Sequence, residues 1–507
     1  MDTMGAALWD LYENQKVKGL ATPMRQTLFK LEKSGQADHR WFNAMGELAL
    51  QEKSYPVAAR FFRMAMEEKA MPEYELNLGN ALFYSGDYSA AKARLEAYLG
   101  KYPGDVHALI DLANCHLQLR ELEQVKELCN AGLGQKAAKA PLWNCLGQVA
   151  FLEGNLASAW DYFERAYSEA PEYIDALFNR ANTAYRLGRS QEALDDFQMC
   201  IRKDENYEPA LLNAAVVRLE RGELAEGKAA IAMVLKLNPN SVDAHHVLGR
   251  LYLAGKEFRN ARSAFREALR LDGDHIPTLL ALAKLHIQEA EPQEAGSVLH
   301  RLLPMRTLGP EERLATLTLL LELEEYPRCV AYLQAMGNAS LTPDFRKILV
   351  LGLWKSGRIE EAMAQLEVIL AAEGETSATL SVLGRMLIQS GAVALAEKRF
   401  FQAVQLDPAC QGAAFELARI RMERDQGGEA LVILESLLSA VPDNADCLYN
   451  LACCHARNRN FKASLHYLKS ALDNGFHDFE KINADDDLKV IRELEEYNQL
   501  ASETGLI

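Results

Sequence analysis

A small residue recurs every 34 positions along most of this chain, and no other feature restricts its fold as much. From Gly147, in PLWNCLGQVAFLEGNLASAWDYFERAYSEAP, steps of 34 reach Ala181, Ala215, Gly249 and Ala283 forward, and Ala113 and Gly79 backward. Past an irregular middle the series returns at Gly384, Ala418 and Ala452, and a first copy, one residue shorter, anchors at Gly46. Twelve residues beyond each anchor lies a second small position, and nine of its thirteen occupants are alanine: Ala58, Ala91, Ala159, Ala193, Ala261, Ala295, Ala362, Ala396 and Ala430. A bulky apolar residue follows four later, as at Phe62, Phe163, Phe197, Phe265 and Phe400. Between the two small positions sits a turn marked by Gly86, Gly154, Gly188, Gly222, Gly357 or Gly391, and units often close on proline, as at Pro103, Pro171 and Pro239.

Two helices of about a dozen residues, packed antiparallel, account for each choice. Small residues let the backbones approach at the crossing, and the bulky neighbour fills the groove beside it. Glycine ends the first helix because it enters the left-handed conformation cheaply; proline cannot continue the second. One such hairpin cannot bury its own apolar face, so successive hairpins must stack.

The pattern resembles the tetratricopeptide repeat family, whose unit matches in length and in its small, aromatic and proline positions. The resemblance covers residues 39–478, about thirteen units, and implies an all-α, right-handed superhelical solenoid of antiparallel helix pairs. Residues 1–38 and the acidic segment 479–507 lack the full signature and are expected to be capping helices at the two ends, since terminal repeats need a polar outer face. In the irregular middle the frame puts Leu317 and Val350, both bulky, at crossing points. A hinge over 304–345 is one expectation there; two ordinary divergent repeats is the other.

Composition narrows the function. The chain has 507 residues, 49% hydrophobic, with a formal net charge of −16. That balance argues against a nucleic-acid ligand, whose binding draws on clustered Lys and Arg. Nine cysteines without a CxxC pair read as thiols in a reducing compartment rather than metal ligands or disulfides, so no metal or cofactor is expected. Cys453 and Cys454, and His245 and His246, are adjacent pairs whose side chains diverge around a helix and chelate poorly. No basic leader precedes an apolar run at the N-terminus and no stretch approaches a membrane span, so a cytoplasmic protein, of bacterial type, is expected. The Walker-type phosphate loop, GxSxG and HExxH are all missing; the nearest miss, GELAEGKA from Gly222, falls in a turn and a second helix. No catalytic residues are expected.

The resemblance implies that the first helix of each pair lines a concave surface and that the residue after each anchor faces it. Those residues include Asn80, Asn114, Gln148, Asn182, Val216, Arg250, Lys284, Arg385, Arg419 and Cys453. Three positions before residues of this set, on the same face, stand Asn77, Asp111, Asn179, Asn213 and Asn450, beside the first set at helical spacing. Each amide offers a donor and an acceptor to a peptide backbone whatever its sequence, and the arrangement resembles the asparagine ladder in the tetratricopeptide arm of O-GlcNAc transferase. The other reading is an exposed face that Asn merely solvates. Arg250, Lys284, Arg385 and Arg419 suit an acidic segment or a terminal carboxylate, or else are surface charge with i,i+4 partners. Phe83, Tyr84, Phe151, Phe178, Tyr185 and Tyr449 are candidate anchors. A scaffold or chaperone-like adaptor for a protein or extended peptide is therefore expected, with a regulatory or structural subunit docking a folded partner on its outer or terminal surfaces as the alternative.

Overall fold

Each 34-residue period folds as two helices and a tight turn. The computed structural model describes residues 3–18, 20–35, 37–135 and 139–504, so residues 1–2, 19, 36 and 505–507 of the expected capping segments lie outside it. Thirteen hairpins run from His39–Gln51 with Tyr55–Glu68 to Ala445–Arg457 with Phe461–Asp473. First helices begin at 72, 106, 140, 174, 208 and 242, and again at 276, 310, 343, 377, 411 and 445, so the period holds through the irregular middle. The described residues contain no strand.

The chain divides into two compact units at Gly273/Asp274. The first holds the helix pair Thr3–Val17 and Ala21–Lys33 followed by seven hairpins; the second holds six hairpins and the closing segment. Both are all-α stacks of antiparallel helix pairs. The 304–345 stretch lies inside the second unit.

Packing follows the small-to-large rule. The alanines at the second small position are all fully buried, as are Val125, Cys329 and Ser464 in the same slot. Phe62, Phe163, Phe197, Phe265 and Phe400 are at most 1% exposed, each burial contributing roughly 1.5–3 kcal/mol. The matching anchor glycines leave no room for a methyl group: a Cβ on Gly46, Gly147, Gly249 or Gly384 would come within 2.3–2.6 Å of the facing phenylalanine ring.

The irregular middle solves the same problem differently. Leu317 and Val350 are buried at their crossings, 0% and 4% exposed. Close approach moves to Gly352, where a Cβ would lie 3.0 Å from Val330 of the preceding helix Tyr326–Met336. The turn residue also goes beyond its sequence mark. All thirteen hairpins place it in the left-handed region, six with glycine and seven with Lys53, Arg120, Lys256, Ala290, Glu324, Asp425 or Arg459.

The closing segment corrects one expectation. Where a single helix was expected over 479–507, the structure has a short helix Phe479–Ala484, two 3-10 turns, and a helix Glu495–Thr504. Asp485 ends the first piece and caps the next by accepting from the Asp487 amide. Arg492 then ties the bend together, donating to the carbonyls of Ile482 and Asp485 at 2.9 Å each. Ile482, Leu488, Ile491 and Tyr497 pack on Tyr449, Cys453 and Leu468 and cover the last hairpin.

Candidate functional site

Amides on the first helices bond to one another from unit to unit. In the first unit Asn77 donates to Asn43 at 2.9 Å, Asn179 to Asn144 at 2.9 Å, and Asn213 to Asn182 at 2.8 Å. Asn80 bonds the Asp111 carboxyl, and Asn114 accepts from the Cys145 thiol at 3.5 Å. These five donor–acceptor links join neighbouring hairpins, so the ladder is partly satisfied by itself. All of its members on the expected list are half-buried rather than enclosed. A primary amide has two N–H groups and two lone pairs on oxygen. One inter-unit bond uses a single donor or lone pair and fixes the rotamer, leaving the remainder for a ligand. Asn43 and Asn144 were missed by the sequence reading because they stand three residues before Gly46 and Gly147, one position off the register of Asn77 and Asn179, which stand two before Gly79 and Ala181. Asn144 is buried and donates to Tyr173 at 3.3 Å.

Four of the expected residues meet in one place. Gln148, Asn179, Asn182 and Asn213 line a cleft of about 700 Å³ with Phe151, Leu152 and Tyr185, over a floor that includes Phe163 and Phe197. First helices Val106–Gln118, Ala140–Leu152, Ile174–Arg186 and Glu208–Glu220 supply its walls. Val216, which interrupts the amide run, is part of the lining. The Tyr185 hydroxyl donates to Glu220, and burial followed by that carboxylate pushes its pKa up to about 12. Burial likewise holds the Asp111 carboxyl above its ordinary range, against the bond from Asn80.

The remaining candidates are dispersed. Asn77 and Asn80 lie on an earlier hairpin and Asn114 on the wall helix Val106–Gln118, and none of the three lines this cleft. Arg250 is half-buried on the last hairpin of the first unit, close enough for its charge to act on Tyr185. In the second unit Lys284 and Arg385 are exposed, whereas Arg419 is held by Glu416 at 2.8 Å and Glu423 at 2.6 Å, the surface pairing that was the other reading of these bases. Among the aromatics, Tyr84 is exposed and stacks on Tyr55. Tyr449 is 1% exposed, sandwiched on Phe476 with its hydroxyl on Asp485, so as an anchor for a partner it is excluded by the chain's own closing segment. Cys453, on the same face, is covered with it.

The sequence-adjacent pairs diverge as helical geometry requires: His246 packs by the Phe265 ring while His245 reaches the Pro239 carbonyl at 3.0 Å. All nine cysteines are free thiols, eight of them buried. Among the described residues no group of three or more His, Cys, Asp or Glu is placed to hold a metal ion, and no helix is long and apolar enough to cross a membrane.

The stacked hairpins define a repeat protein, and tetratricopeptide repeat models match residues 82–148, 146–208 and 212–276. Its repeats are thus tetratricopeptide repeats, a fold that generally serves to bind protein or peptide partners. The chain is 32% identical over 100 residues to protein FlbA of Caulobacter vibrioides, covering 20% of this chain and 17% of that one. It is 26% identical over 321 residues to the human protein O-mannosyl-transferase TMTC3, covering 60% of this chain and 32% of the relative. The chain thus spans less than a third of the length of either relative. Among solved structures, that of Pseudomonas aeruginosa pilF is 17% identical with a TM-score of 0.37, covering 42% of this chain and 97% of that one.

Proposed function

We propose that the first unit holds an extended polypeptide segment along the face built by its first helices, and that the protein works as a scaffold or chaperone-like adaptor rather than as a catalyst. The observation that carries this reading is the cleft in which Gln148, Asn179, Asn182 and Asn213 converge beside Phe151 and Tyr185. Amides already oriented by their neighbours lose little further entropy when they grip a backbone, and the aromatic side chains offer an apolar seat. A net charge of −16 disfavours nucleic acid as the partner, and nine free thiols suit a reducing, cytoplasmic setting. The test is affinity purification with the full chain and with the combined variant Gln148→Ala, Asn182→Ala and Asn213→Ala. Loss of co-purifying proteins at an unchanged melting temperature supports the groove; an unchanged set of partners refutes it.

A second reading rests on a different observation. Leu395, Leu406 and Val432 are 58%, 57% and 66% exposed on second helices Val393–Leu406 and Gly427–Ala440. Exposed apolar surface of this kind suits a folded partner docked on the outer side of the second unit. Leu395→Ser with Val432→Ser would abolish partner capture under that reading and leave it intact under the first.

A further inference from the structure

The cleft carries charge of the opposite sign to the chain. Its lining includes Arg120 and Arg186 and contains neither Asp nor Glu, although acids outnumber Lys and Arg 71 to 55 in the chain. Neither arginine forms an ion pair among the described residues. Other arginines of this unit do: Arg180 with Asp196 and Glu164, Arg221 with Glu223, Arg94 with Glu75. Arg186 instead lies over the Phe151 ring, 5.6 Å from its centroid, with no carboxylate paired to it among the described residues. Arg120 stands at the turn after Val106–Gln118, on the hairpin before the one that supplies Phe151 and Leu152, and Arg186 ends the first helix of the hairpin after it. The two cations therefore flank the apolar seat on either side. Packed helix axes lie about 8–10 Å apart, so two steps along the stack span roughly 16–20 Å, a distance that five or six extended residues cover.

We infer that the segment held in this cleft is acidic, with one apolar or aromatic side chain seated against Phe151, Leu152 and Tyr185 and a carboxylate on each side, five or six residues apart, reaching Arg120 and Arg186. The inference rests on the peptide-groove reading and adds to it the chemistry of the ligand. The amides hold the backbone and are indifferent to its sequence; the arginines and the apolar seat supply the selection. Both carboxylates are internal side chains in this geometry, so a free chain terminus is not required.

The test is selection of a displayed library of random dodecapeptides on the full chain, followed by binding measurements on the enriched peptides synthesised with both ends blocked. Enrichment of Asp or Glu on both sides of Phe, Tyr, Leu or Ile is the expected result. Replacing either acid by its amide then weakens binding by about tenfold. The variant Arg120→Asn with Arg186→Gln, asparagine being chosen because residue 120 has φ +60°, should lose that discrimination while melting as the parent does. Binders that lack the acids yet are lost in Asn182→Ala with Asn213→Ala would overturn this inference and leave the groove standing. A library that yields no binder, or binders insensitive to both sets of substitutions, would overturn both.

Discussion

Gly249→Ala tests the packing rule on which the array is built. A methyl group there would sit 2.3 and 2.4 Å from two ring carbons of Phe265, where ordinary contact begins at 3.4 Å, so the ring must withdraw by about 1 Å. Phe265 is fully buried and the His246 ring stands 6.1 Å from it, so that movement compresses a packed neighbour. Overpacking of this kind costs about 1–3 kcal/mol, against a gain of about 1 kcal/mol for replacing glycine by alanine within a helix. The expected net loss is about 1 kcal/mol. The array's own remedy is an aliphatic partner: in the units anchored by Ala215 and Ala283 the phenylalanine slot holds Ile231 and Leu299. One unit joins Ala181 to Phe197, and there Phe178, not a histidine, borders the ring. Adding Phe265→Leu to Gly249→Ala should therefore cost less than Phe265→Leu does in the parent, a coupling of about 1 kcal/mol. Because each hairpin depends mainly on its neighbours, the readout is hydrogen exchange: protection should fall in Val242–Ala254 and Phe258–Leu271 and persist in helices 39–51 and 55–68. If the alanine variant gains the full helix-propensity increment and the two substitutions are additive, the shape-matching argument is wrong.

Three further expectations follow from particular side chains. Ala290 adopts φ +56° with no side-chain group to offset the strain, so Ala290→Gly should stabilise the second unit by about 0.5–1 kcal/mol in denaturant unfolding, and a loss would show that the turn is unstrained. Asp111 has its folded pKa raised by burial, so its contribution to stability is fullest below the unfolded carboxylate range and is lost as pH rises through the raised value. Asp111→Asn should accordingly melt higher than the parent at pH 7 and draw level at low pH; a gap that narrows with rising pH would contradict this. Arg180 donates to buried Asp196 at 2.8 and 2.6 Å, so Asp196→Ala, which leaves that guanidinium only the more exposed Glu164, should cost about 2–3 kcal/mol, whereas Arg180→Met with Asp196→Leu should recover most of it in the same unfolding assay.

The sequence by itself determined the hairpin, its period and its core, because these depend on local spacing. A helix crossing demands a small residue at a set distance from a bulky one, and Gly147, Ala159 and Phe163 display that demand without any knowledge of neighbours. Asn43 and Asn144 stand one position off the register of Asn77 and Asn179, so the period alone did not mark them. Tertiary structure decided what a single period cannot encode. Whether Asn182 faces solvent or takes a bond from Asn213 depends on a rotamer chosen against the next hairpin, 31 residues away. The same holds for the unpaired state of Arg186, for the close approach at Gly352 that offsets bulky Val350, and for Tyr449, a groove position in sequence that the folded closing segment encloses. Spacing within one hairpin is written along the chain; contacts between hairpins exist only once the stack has formed.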